Sequence, residues 1–116
     1  MADALTATLT VAPTDVGLEL TLTVENAGSA AVDLSFSDGQ RAEFVAVDAD
    51  GAEVWRWSEG RAFAMMLGSE TLAPGESVAY DGTWASTPAG EYEVTGSLAA
   101  TDADASASMS VVVPDE

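Results

Sequence analysis

The sequence predicts an all-β domain, an immunoglobulin-like antiparallel β-sandwich of about eight short strands, free of cysteine. Three observations carry this. Apolar and polar residues alternate with period two along most of the chain. Turn-forming Gly, Pro, Asn and Asp residues recur between those runs. No segment of convincing length repeats with the helical period.

The elements follow in order. Leu5, Ala7, Leu9 and Val11 point one way, with Thr6, Thr8 and Thr10 between them. Leu18, Leu20, Leu22 and Val24 alternate with Glu19, Thr21, Thr23 and Glu25, and Asn26-Ala27-Gly28 closes that strand. Val32, Leu34 and Phe36 form a third run, ended by Asp38-Gly39. Asp50-Gly51 between Phe44–Val47 and Val54–Trp57 reads as a tight hairpin, because this dipeptide accepts the backbone such turns need. Pro74-Gly75 fits a type II turn before Val78, Tyr80 and Trp84. Pro88-Ala89-Gly90 leads into Tyr92, Val94 and Leu98, where Tyr92 matches the tyrosine corner of such sandwiches. Asp102 and Asp104 read as a turn, and Ala105, Ala107, Met109, Val111 and Val113 make the last strand before Pro114. The stretch from Trp57 to Thr71 is the exception. It has neither clean alternation nor a long helical pattern, and reads as a loop holding at most one short strand or helical turn.

At 116 residues the chain is expected to be one domain over residues 1–116. No apolar run approaches the roughly 18 residues that cross a bilayer. Met1 to Leu9 lacks the basic residues and apolar core of a secretory leader, so the expected location is cytoplasmic. The charge is unusual: twenty Asp and Glu face three basic residues, Arg41, Arg56 and Arg61, for a net charge of −17. Lysine is absent, and the acids are spread through the ordered segments. That pattern suits a folded protein in concentrated salt, as in a halophile, where screening shortens the Debye length to about 3 Å at 1 M. Nucleic acid and anionic membrane are not expected partners, since both call for clustered Lys or Arg.

With no His, Cys or Lys, the Ser-His-Asp and Cys-His arrangements, the common zinc sites and Schiff-base chemistry cannot be built. Only carboxylates remain as acids and bases, and paired carboxylates need a sugar-sized cleft that a small sandwich rarely encloses. The expectation is a non-enzyme without cofactor that acts by binding a protein partner. Asp48, Asp50 and Glu53 around Gly51 resemble a calcium ligand set but lack the EF-hand loop; a hairpin turn with solvated charges is the simpler reading. Trp55 and Trp57 project to one face, either as an exposed aromatic pair for sugar or peptide, or as core beside Trp84. Phe63, Met65, Met66 and Leu67 form either an exposed apolar patch on an acidic surface or a plug at the end of the core.

Ser37-Asp38-Gly39-Gln40-Arg41-Ala42-Glu43-Phe44, then Asp50-Gly51-Ala52-Glu53-Val54-Trp55-Arg56-Trp57-Ser58, Gly60-Arg61-Ala62-Phe63, Leu72-Ala73-Pro74-Gly75-Glu76-Ser77 and Trp84 together resemble the intracellular proteinase inhibitor (BsuPI-type) domain family. The resemblance spans about residues 18–98, and the pairing of "VWRWS" with "PGE" is its more specific part. Asp38 stands where the family more usually has a small residue. The resemblance implies an immunoglobulin-like sandwich that inhibits an intracellular subtilisin-like serine protease. Clefts of that class take extended, apolar peptide, so Phe63, Met65, Met66 and Leu67 are the candidate partner-binding loop. The alternative is a non-inhibitory interaction module in a salt-adapted cytoplasm.

Overall fold

The computed structural model describes residues 5–59, 65, 67–101 and 103–114. Among them are nine strands and no helix: β1 (Leu5–Thr14), β2 (Gly17–Asn26), β3 (Val32–Phe36), β4 (Ala42–Asp48), β5 (Glu53–Arg56), β6 (Gly68–Leu72), β7 (Ser77–Ala85), β8 (Gly90–Leu98) and β9 (Ser106–Val113). The expectation was about eight strands. The ninth is β6, a short strand inside the stretch read as irregular; Gly68-Ser69-Glu70-Thr71-Leu72 offers too few apolar residues to show alternation.

Every pairing is antiparallel. A three-stranded sheet runs β1-β2-β7 and a four-stranded sheet runs β5-β4-β8-β9, in the arrangement of the two layers of an immunoglobulin sandwich. Their inner faces meet in a core that includes Leu20, Leu22, Val24, Phe44, Ala46, Trp84 and Val94, each 5% exposed or less. Full burial of each Leu, Val or Phe is worth roughly 1.5–3 kcal/mol, and this sets the registers. A slip by one residue would carry Leu18, Leu20, Leu22 and Val24 to the wet face together.

The third pair, β3-β6, continues the β2-β7 ribbon past a corner. β2 and β7 stay in register to Glu25↔Ser77; both then break and resume as Val32↔Leu72 through Phe36↔Gly68. Asn26 sits at that corner, wholly buried. Its Nδ2 donates to the Leu72 carbonyl (2.9 Å) and the Ala30 carbonyl (2.8 Å), and its Oδ1 accepts from Gly28 N–H at 2.9 Å. Its backbone exchanges bonds with the Pro74-Gly75 turn: Asn26 N–H donates to Glu76 O and Gly75 N–H donates to Asn26 O. Beyond β8 the chain crosses to the same ribbon, with Ala99 N–H on Arg41 O and Thr101 N–H on Ser35 O.

The turn readings hold. Gly51 has φ +85, and the Asp48 carboxylate accepts from Asp50 and Ala52 N–H at 3.0 Å each, so the hairpin explains the position of this acid. Tyr92 forms the tyrosine corner, its hydroxyl donating to Pro88 O at 2.9 Å. Asp102 lies outside the described residues.

The ladders also place the acidic charge. No acid stands directly opposite another acid in any of the six registers. Several meet a hydroxyl instead: Thr21 Oγ1 donates to Asp81 (3.0 Å) and Thr71 Oγ1 to Asp33 (2.9 Å). Directly opposed like charges destabilise a sheet, so this ordering leaves only repulsion at longer range.

Candidate functional site

The connection from β5 to β6, residues 57–67, carries the sequence-predicted site. Its first stem is set by the β4-β5 hairpin. Val45 pairs with Arg56 and Ala46 with Trp55; carried onward, that register sets Glu43 opposite Ser58. The Glu43 carboxylate, 16% exposed, gathers that stem. Oε1 accepts from Phe44 N–H (3.1 Å) and Ser58 N–H (3.0 Å), while Oε2 accepts from the Ser58 hydroxyl and from Arg56 Nη1 (3.3 Å). Arg56 grips Glu53 with two bonds, Nε to Oε2 at 3.1 Å and Nη2 to Oε1 at 2.8 Å. Those bonds from Arg56 hold the Glu53 carboxyl below its usual range. The Arg56 guanidinium is raised by its bonds to Glu53 and then Glu43. On the inner face Trp57 N–H donates to Phe44 O at 2.9 Å, and its ring meets Phe44 edge-on at 6.2 Å. The stem is pinned from both sides of the sheet.

The second stem enters β6 at Gly68. Here the Arg41 guanidinium lies 4.3 Å over the Phe36 ring, donates from Nη1 to Asp38 O at 2.8 Å and pairs through Nε with Glu70 at 3.4 Å. Glu70 also accepts from the Tyr80 hydroxyl at 2.9 Å. Burial, and then the bond to Glu70, push the Tyr80 hydroxyl well above its ordinary pKa. A Cβ at position 68 would stand 2.6 Å from Arg41 Nη2, so a side chain there would move the guanidinium tip off the strand. Two of the three cations in the sequence are therefore engaged at the two stems, one at each.

Between the stems, Met65 is 94% and Leu67 85% exposed, the two most exposed large apolar side chains among the described residues. Both stand outside the core. Phe63 and Met66, with Arg61, lie outside the described residues. Trp55 and Trp57 are half-buried and packed on the core, and Trp55 stacks on Trp84 at 5.1 Å and 11°. They are packing residues that floor the loop's origin, not an open aromatic pair. Among the described residues no group of three or more acidic side chains converges on a metal position, and no helix is long and apolar enough to cross a membrane.

Sequence reasoning gives Glu43 no role, takes Glu70 only as an acid beside the loop, and reads Asn26 only as the end of a strand. Glu43 was findable, since folding the chain about Asp50-Gly51 sets it against Ser58. Glu70 and Tyr80 meet across the Pro74-Gly75 turn, but Arg41 reaches Glu70 only through the β3-β6 pairing, for which no local signal exists.

Comparison with known proteins follows the same outline. The family described as BsuPI, intracellular proteinase inhibitor, matches residues 5–103. Among solved structures, Spo0M, a sporulation control protein from Bacillus subtilis, is similar at a TM-score of 0.59 and 19% identity, over 98% of this chain and 51% of that one. This chain thus spans about half the length of that protein, and likeness at that identity speaks for the fold alone. No curated protein matches the chain.

Proposed function

The chain belongs to the BsuPI family of intracellular proteinase inhibitors, and from that premise we propose that it inhibits a cytoplasmic subtilisin-like serine protease by seating the Phe63–Leu67 loop in the active-site cleft. One observation carries the reading. Both stems of the loop are held by side-chain networks around Glu43 and Glu70, while Met65 and Leu67 project into solvent. Fixing the stems in advance removes part of the ordering cost that a free peptide meets on binding. The apolar tips supply what an extended, apolar cleft recognises. The protein then acts by occupying the cleft, with no turnover of its own.

Burying a Met or Leu side chain is worth roughly 1.5–3 kcal/mol, so losing the Met65 and Leu67 contacts costs about 3–6 kcal/mol, two to four orders of magnitude in Ki. The test replaces Met65, Met66 and Leu67 together with serine and titrates a purified intracellular subtilisin-like protease in molar salt. The expected result is that loss of inhibition with an unchanged circular dichroism spectrum. Inhibition equal to the parent protein, with the fold intact, removes the loop from the mechanism.

A second reading is a non-inhibitory interaction module, since a rigid sandwich with Met65 and Leu67 exposed suits protein partners other than a protease. Recovery of a stable partner other than a protease in a salt-matched pull-down, with no inhibition of any subtilisin-like enzyme, favours it.

A further inference from the structure

Along one side of the sandwich the two sheets end in β1 and β9, which lie side by side yet belong to different sheets, each with a single ladder neighbour. Of the nine strands, these two carry no charged residue. β9 has no buried residue at all. Met109 pairs with the fully buried Val94 and so faces inward, yet it is 37% exposed; on the outer face Val112 is 71% exposed. At the C-terminal ends of the two strands a cavity of about 930 Å³ opens, walled by Val11, Pro13, Val16, Leu18, Val111 and Val113, with Asp15 its single carboxylate. Sheet edges are ordinarily guarded by charge, brevity or a bulge. β5, the opposite edge of the four-stranded sheet, has all three: four residues, Glu53 with Arg56, and a register shift. β9 has none of them.

We propose that the β1/β9 flank is the interface of a twofold dimer of this chain. A twofold interface sets a patch against its own copy. At a net charge of −17, any face carrying carboxylates would meet the same carboxylates across the axis. The β1/β9 flank is where two copies meet with the least of that repulsion, since the two edge strands carry no charge and the nearest ladder carboxylates, Glu91 and Glu93, stand one strand back on β8. Its half-exposed apolar side chains gain burial by closing. A basic partner, by contrast, is drawn to the acidic faces. Because β5 and β9 are opposite edges of one sheet, the dimer leaves both β5 edges, where the first loop stem starts, away from the interface. The flank stands on its own observations, whatever the loop binds.

Sedimentation velocity in molar salt, at protomer concentrations from about 1 to about 200 μM, tests this on three proteins. The parent chain sediments as a dimer, at twice its 11.8 kDa mass. Val112→Glu, on the exposed outer face, weakens the dimer at least about tenfold by opposing two new carboxylates across the axis. Because Glu91 is its ladder partner within the protomer, the comparison is made at a salt concentration where its circular dichroism spectrum and thermal melt match the parent's. Val54→Glu, at the guarded β5 edge where the native side chain is 45% exposed, leaves it unchanged. A parent chain that is monomeric throughout, a Val112→Glu variant that dimerises like the parent, or equal loss in Val54→Glu each overturns the proposal. A monomeric parent whose protease inhibition is weakened by Val112→Glu also overturns it, and gives the flank to the protease.

Discussion

Replacing Asn26 asks what joins the ribbon bearing the second loop stem to the sandwich. The alanine variant loses the Nδ2 donor to Leu72 O, a bond buried from solvent, and leaves that carbonyl unpaired at a cost of about 1–3 kcal/mol. The bonds to Ala30 O and from Gly28 N–H are part-buried, and water recovers much of each, leaving about 0.5–1 kcal/mol between them. Asn26→Ala should therefore cost about 1.5–4 kcal/mol, or roughly 6–16 °C in Tm at about 4 °C per kcal/mol for a domain of this size. Asn26→Asp has nearly the same shape but should be worse at pH 7, because a buried carboxylate then faces two carbonyl oxygens from 2.8 and 2.9 Å. Burial and those acceptors raise the pKa of the introduced carboxyl above its unfolded value near 3.9. The folded state thus favours the protonated form, and its deficit should shrink as pH falls toward that value, whereas the alanine deficit should not. Thermal melts at fixed molar salt measure the first, and urea melts over a series of pH values measure the second. An alanine variant within about 2 °C of the parent, or an aspartate variant as stable as the alanine one at pH 7, refutes the corner argument.

The raised Tyr80 pKa stabilises the fold fully below the unfolded tyrosine value near pH 10 and is lost as pH rises beyond it. Tyr80→Phe should remove that part of the alkaline decline in urea stability; parallel pH profiles for the two proteins would show that the hydroxyl is not held as described. Lowering salt should cost stability between about 1 M and 0.1 M, where the Debye length grows from about 3 to about 10 Å. The ladders already separate the nearest acids, so only repulsion beyond the cross-strand neighbour remains to be screened. A melting temperature independent of salt over that range would show that the charge of −17 is not limiting.

Period-two patterning was legible at once, because a strand half in water must alternate. Leu18 to Val24 found their face by residue type alone, and Asp50-Gly51 and Pro74-Gly75 marked turns whose backbone few other residues accept. Tyr92 was recognisable because its hydroxyl answers a carbonyl only four residues away. β6 was not legible, since its five residues are held by β3 and not by a pattern of their own.

What the sequence by itself determined is therefore local: strand faces, turns, the absence of imidazole, thiol and amine side chains, and an excess of carboxylate. The tertiary structure alone decided which carboxylates became structural. Glu43 reaches Ser58, and Arg41 reaches Glu70, across gaps in the chain that only strand pairing closes. It also decided that Trp55 packs while Met65 and Leu67 do not, and that the two uncharged strands end up together on one flank. Alternation tells a side chain which way to face; whether anything stands there to meet it depends on which strands become neighbours.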